Sequence, residues 1–193
     1  MKHLNLFKTN ADFESATLEL PNVSYISDSN TIISGKNYIV GDGEFGDGQF
    51  SWEFYESGEL IISGEGEMPE FWEGCPWETV KPYVKSAVVN EGITCIGWGS
   101  FSGCVNVEKI ILPKSLQYVS DDSFLDCSGT LIIQSNIAKD YGSIQANFNK
   151  LILTKEVTEY NMGSISPELA CIVVDKDNPV FSSEPHCNSV IEK

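Results

Sequence analysis

The stretch AVVNEGITCIGWGSFSGC, residues 87–104, is followed after five residues by IILPKSLQYVSDDSFLDC, residues 110–127. Superposed at a constant offset of 23 residues, Val89 falls on Leu112, Ile93 on Leu116, Ile96 on Val119, Phe101 on Phe124 and Cys104 on Cys127. Five matched apolar positions at one offset identify an internal repeat, and a repeat of this length is a unit that cannot bury its apolar side alone. Stacked units sharing one continuous core are therefore expected.

The aliphatic triplet that opens each unit recurs further along as Leu131-Ile132-Ile133, Leu151-Ile152-Leu153 and Ile172-Val173-Val174, with its middle residue at 88, 111, 132, 152 and 173. The steps of 23, 21, 20 and 21 residues between them have the period of a leucine-rich repeat. Each triplet reads as a short strand of mostly β-branched residues, with Gly92, Pro113 and Asn178-Pro179 as breaks. Stacking the units predicts a parallel ladder. The fold class is thus mainly β with short irregular or helical segments: a solenoid over residues 83–193, of about five units with the last three degenerate.

Side chains alternate across a strand, so if the outer residues of each triplet point inward, the middle ones face the opposite way. These are Val88, Ile111, Ile132, Ile152 and Val173, with Lys109 and Lys150 two residues before two of them on the same face. Such an aliphatic stripe either binds something or is covered, by the N-terminal region or by a second copy.

Upstream, FSWEFYESGELIISGEG at residues 50–66 alternates Phe50, Trp52 and Phe54 against Ser51, Glu53 and Tyr55, then turns at Ser57-Gly58, which predicts a β-hairpin. Gly41-Asp42-Gly43 and Gly46-Asp47-Gly48 read as tight turns before it. Ala11 to Leu18 reads as a short helix, and Val23–Ile26 with Thr31–Ile33 as a strand pair. Residues 1–82 form an acidic β-rich region that caps the solenoid, with Trp77 expected as an aromatic plug over its open end. Trp98 occupies the repeat position that Asp121 fills in the next unit, so exposure is expected for it and for Trp72, with partial burial against a neighbouring loop as the alternative. Exposed tryptophans are enriched at binding hot spots.

The motifs GITCIGWGSFSGC and VEKIILPKSLQYVSDDSFLDC resemble the BspA-like, or Treponema-type, leucine-rich repeat of bacterial surface proteins, whose units run aliphatic-x-aliphatic-Pro, Ile-Gly, then Ala-Phe and Cys. The closing VVDKDNPVFSSEPHCNSVIE and the segment WEFYESGELIISGEGEMPEF with Pro76-Trp77 also look like units of that family, so the resemblance covers about residues 50–193. The chain departs from it with Ser100 and Ser123 in place of alanine, Ser120 in place of glycine, and no Phe-x-x-Cys in the third and fourth units. The resemblance implies adhesion or binding to a host or extracellular macromolecule, at the cell surface or secreted. The opening MKHLNLFKTN, however, carries no apolar run of signal-peptide length behind it.

Composition narrows the function further. The chain has 28 acidic residues against 12 basic ones, a net charge of −16, and every base is lysine. Nucleic-acid and anionic-membrane binding rely on positive potential and on arginine's fork, so neither is expected, and no apolar run is long enough to span a bilayer. The six cysteines form no CxxC pair and the two histidines, His3 and His186, lie at opposite ends, so neither a zinc site nor a catalytic triad is expected. Eleven carboxylates and no lysine lie from Asp42 to Glu78. Asp42, Glu44 and Asp47 offer calcium-type oxygens without any EF-hand spacing, and no acid pair is fixed for glycoside hydrolysis. Stacking brings Cys104 over Cys127 as a buried thiol column, free cysteine behaving as a small hydrophobe. The expectation is a non-catalytic module without cofactor or metal. It binds a protein or matrix-type macromolecule through Val88, Ile111, Ile132, Ile152, Val173, Lys109 and Lys150. The alternatives are a glycan bound at Trp72 and Trp98 with the acidic residues around them, and a self-associating or homodimeric scaffold.

Overall fold

The computed structural model describes residues 38–136, 146–159, 171–175 and 178–179, with residues 171–173 described by their backbone alone. The helix and strands expected within residues 1–34, and most of the closing unit with His186 and Cys187, lie outside them.

Among the described residues the strands are β1 (Ile39–Phe45), β2 (Phe50–Tyr55), β3 (Glu59–Gly64), β4 (Gly66–Glu67), β5 (Ser86–Val89), β6 (Ile93–Ile96), β7 (Lys109–Ile111), β8 (Tyr118–Val119), β9 (Thr130–Ile133), β10 (Lys150–Leu153) and β11 (Cys171–Val174). They form an eight-stranded sheet in the order β1-β2-β3-β5-β7-β9-β10-β11 and a three-stranded sheet β4-β6-β8. All five triplets pair in parallel in the long sheet, the ladder the offsets predicted. Each coil runs up the long sheet, and those of β3, β5 and β7 turn at Gly64, Gly92 and Pro113. The coils of β3, β5 and β7 then add a short strand to the second sheet.

The core follows from the period-2 pattern. Leu60, Ala87, Ile110, Leu131 and Leu151 form one fully buried column, and Ile62, Val89, Leu112, Ile133 and Leu153 the next. Opposite them Phe101 and Phe124 stack face to face at 5.4 Å and 6°, and Phe148 meets Phe124 edge-on at 5.7 Å, which carries the aromatic column into a unit lacking Phe-x-x-Cys. The serines that replace alanine are satisfied: Ser100 Oγ donates to Gly97 O at 2.7 Å, and Ser123 Oγ to Ser120 O at 2.6 Å. Their burial therefore leaves no hydroxyl without a partner. Between coils, Glu91 accepts from the amides of Lys114 (2.9 Å) and Ser115 (3.0 Å), and Asn136 Oδ1 from those of Thr158 (2.7 Å) and Glu159 (3.0 Å).

At the N-terminal end β2 and β3 form the expected hairpin. β3 then pairs in parallel with β5, so Leu60-Ile61-Ile62 is a further rung of the same ladder. Gly46-Asp47-Gly48 is a turn, with Asp47 at φ 57°. Gly41-Asp42-Gly43 is not: it lies inside β1, and its glycines make room for the Trp52 indole. A Cβ on Gly43 would stand 2.8 Å from Trp52 Nε1, and one on Gly41 3.2 Å from Cη2. Trp77 is fully buried as the expected plug, its ring 5.3 Å from both Phe45 and Phe71, with Nε1 donating to Ser100 O at 2.8 Å.

Candidate functional site

The outer face of the long sheet carries the predicted stripe. In register, Ile61 stands opposite Val88, Val88 opposite Ile111, Ile111 opposite Ile132, Ile132 opposite Ile152, and Ile152 opposite Val173. Val88, Ile111, Ile132 and Ile152 are half-buried, whereas their neighbours along each strand are buried, as alternation requires. A parallel row alongside runs Glu59, Ser86, Lys109, Thr130, Lys150 and Cys171. Lys109 is exposed and Lys150 half-buried, which places both beside the stripe. Ile61 belongs to the aliphatic stripe and was missed, because its hairpin reading hid the triplet Leu60-Ile61-Ile62. The aliphatic triplet itself was the available signal.

Toward the N-terminal end the same row changes character: Ile61 faces Glu53, and Glu53 faces Asp42. Tyr55 donates to Glu53 Oε2 at 2.8 Å, a hydrogen bond that raises the tyrosine pKa above its ordinary value. The face thus runs from carboxylates through aliphatics flanked by lysines.

A second feature lies on the loop after β4. Trp72 is 70% exposed and stacks on Trp98, ring centroids 4.6 Å apart and 21° from parallel. Trp98 itself is half-buried, the alternative of the two readings: the Trp72 indole covers it, whereas Asp121 is exposed. The Phe71 amide donates to Trp98 O at 3.1 Å, and the Glu70 carboxylate accepts from the Trp98 amide and from Ser120 Oγ (2.6 Å). Gly97 cannot be larger here, since a Cβ would stand 2.0 Å from Pro69 O. Ser120, its counterpart, is half-buried and points its hydroxyl to Glu70.

The thiols are core groups. Cys75, Cys95, Cys104 and Cys127 are free and buried. Burial pushes Cys75 up to about 12 and Cys95 to about 11, and Cys104 is raised by its hydrogen bond with Cys127. Cys127 Sγ in turn donates to Phe101 O at 3.1 Å. Asp42 and Glu44 project on the exposed face of β1 and Asp47 lies in the turn. Among the described residues no three His, Cys, Asp or Glu side chains are grouped as a metal site needs, and no helix is long and apolar enough to cross a membrane.

Residues 81–166 match the family described as "BspA type Leucine rich repeat region (6 copies)". A comparison with the curated proteins gives no match. Among solved structures, a leucine-rich repeat protein from Eubacterium ventriosum, determined at 2.50 Å, is similar at 20% identity over 67% of this chain, with a TM-score of 0.45. This chain spans 43% of that protein's length. The offset of 23, the parallel ladder and the match agree: residues 81–166 of this chain form a BspA-type leucine-rich repeat region.

Proposed function

We propose that the chain is a non-catalytic interaction module whose outer sheet face, along Ile61, Val88, Ile111, Ile132, Ile152 and Val173 with Lys109 and Lys150, docks a protein ligand of the extracellular or matrix type. The observation that supports this is the unbroken register of aliphatic residues across six strands, four of the five central isoleucines and valines of the original triplets being half-buried. Full burial of a Val or Ile side chain contributes roughly 1.5–3 kcal/mol, and at a half-buried position a sizeable part of that is still to be gained on docking. The repeat family is an interaction scaffold in character, which agrees with this use of the face.

The glycan alternative would use Trp72 and Trp98. Trp72 is 70% exposed with the exposed Glu73 beside it in the chain, the solvated ring and carboxylate such a site would use, whereas Glu70 is bonded to the Trp98 amide and to Ser120. The docking reading is tested by placing a photo-crosslinking residue at Ile132, on the stripe, or at Gln117, exposed away from it, in otherwise full-length protein. Incubation with a cell-surface or matrix extract should give a discrete protein adduct from position 132 alone. Equal adducts from both positions would refute the reading, and an adduct to a second copy would make the face a homodimer contact.

A further inference from the structure

We propose that the stacked pair Trp72 and Trp98 is a shelf for the guanidinium groups of a basic polypeptide, a second site independent of the aliphatic stripe. Trp72 is the most exposed large apolar side chain among the described residues, at 70% against 53% for Val105, the next. A tryptophan that only filled space would join the buried aromatic cluster of Phe71, its neighbour in sequence, and Trp77, five residues on. Trp72 instead lies outside that cluster, and its surroundings are pinned. Its neighbour Phe71 is tied to Trp98 O, Gly74 N donates to Phe71 O at 3.2 Å, and Glu70 holds the Trp98 amide and Ser120 Oγ. One indole face is committed to Trp98 and the other is presented, already ordered, to solvent.

The surroundings choose the sign of the ligand. Eleven carboxylates and no lysine lie from Asp42 to Glu78, four of them, Glu67, Glu70, Glu73 and Glu78, within this loop and its flanks. The next lysine, Lys81, is buried and paired with Glu78 at 2.8 Å. Indole is the strongest aromatic acceptor for a cation, and negative potential around it adds attraction that a neutral sugar does not feel. Guanidinium is favoured over ammonium because it is planar and weakly hydrated, so it can lie flat on the ring. The chain contains no arginine, so a guanidinium on the shelf comes from another molecule.

The test titrates the full chain with a short synthetic peptide of alternating arginine and serine at physiological salt, followed by tryptophan fluorescence and calorimetry. The arginine peptide should bind and quench. The same peptide with citrulline, which keeps the shape and loses the charge, should not. Trp72→Ala should weaken binding roughly fivefold with unchanged melting temperature, and Trp72→Tyr should retain most of it. Equal binding by the citrulline peptide overturns the proposal. So does undiminished binding by Trp72→Ala, or quenching by neutral oligosaccharides in place of the arginine peptide. Should Trp72→Ala fold poorly, the same peptide with lysine in place of arginine decides on the unaltered chain, because equal binding at equal charge would mean attraction without the shelf and overturn the proposal.

Discussion

The ammonium of Lys81, almost wholly buried, stands 2.8 Å from Glu78 Oε2 and 2.9 Å from the Gly99 carbonyl oxygen. It joins the 3-10 helix Glu78–Tyr83 to the loop after Trp98 and so anchors the segment that carries the Trp77 plug. Burial acts to raise the Glu78 pKa, but the hydrogen bond and charge of Lys81, with the Cys75 amide, outweigh it and hold the carboxyl below its ordinary value. A depressed carboxyl pKa contributes stability that is present above the unfolded value, near 4.3, and lost as pH falls through the folded one. Glu78→Gln should therefore lower the melting temperature at neutral pH and make no difference in acid, below the folded pKa. Lys81→Met should cost about 1–2 kcal/mol at neutral pH, seen as a lower denaturant midpoint. Equal destabilisation by Glu78→Gln at every pH would contradict this.

Gly97 and Ser120 occupy the same position in successive coils, yet they are not interchangeable. A Cβ on Gly97 would stand 2.0 Å from Pro69 O, a backbone atom that cannot swing away. Gly97→Ser, which merely copies the next coil, should cost about 1–3 kcal/mol or more in chemical denaturation, as overpacking does. Ser120→Gly should cost less, losing chiefly its hydroxyl's bond to Glu70. Comparable losses would show that the loop carrying Pro69 yields.

The buried cysteines predict a sharp contrast in reactivity. The thiolate is the reacting species, and Cys75 at about 12, Cys95 at about 11 and a raised Cys104 leave almost none of it at pH 8. Cys75, Cys95, Cys104 and Cys127 should resist alkylation in the native protein for as long as it stays folded, whereas all six cysteines should titrate in denaturant after reduction. Peptide mapping of the labelled sites checks this. Rapid native labelling of Cys104 or Cys127 would mean that the aromatic column opens. Chelator should leave the melting temperature unchanged, and a drop of several degrees would revive calcium at Asp42, Glu44 and Asp47.

The ladder was legible because its signal is local and repeated: three aliphatic residues, a break, and the same again, with Phe101 over Phe124 and Cys104 over Cys127. The hairpin was legible through the alternation of Phe50, Trp52 and Phe54. What the sequence concealed were contacts between distant residues. Gly41 and Gly43 carry the composition of a turn, and only the Trp52 indole packed against them explains why they sit in a strand. Trp98 was expected at the surface because its counterpart is an aspartate. The alternative, partial burial against a neighbouring loop, holds because Trp72, 26 residues upstream, covers it. Ile61 was hidden for the opposite reason: its strand has two partners, antiparallel β2 and parallel β5, and the hairpin alone accounts for its sequence pattern.

The docking face is tested most directly by changing Ile111 and Ile132, which stand opposite each other in β7 and β9, together to threonine. Threonine keeps the branched shape that suits strands and removes the apolar surface. Circular dichroism of the double variant should show a native fold with its melting temperature lowered by only a few degrees. Sedimentation and capture assays should show self-association or ligand binding sharply reduced. A double variant that loses its native fold, or one that folds and binds as the unaltered chain does, would contradict the assignment of this face as the interface.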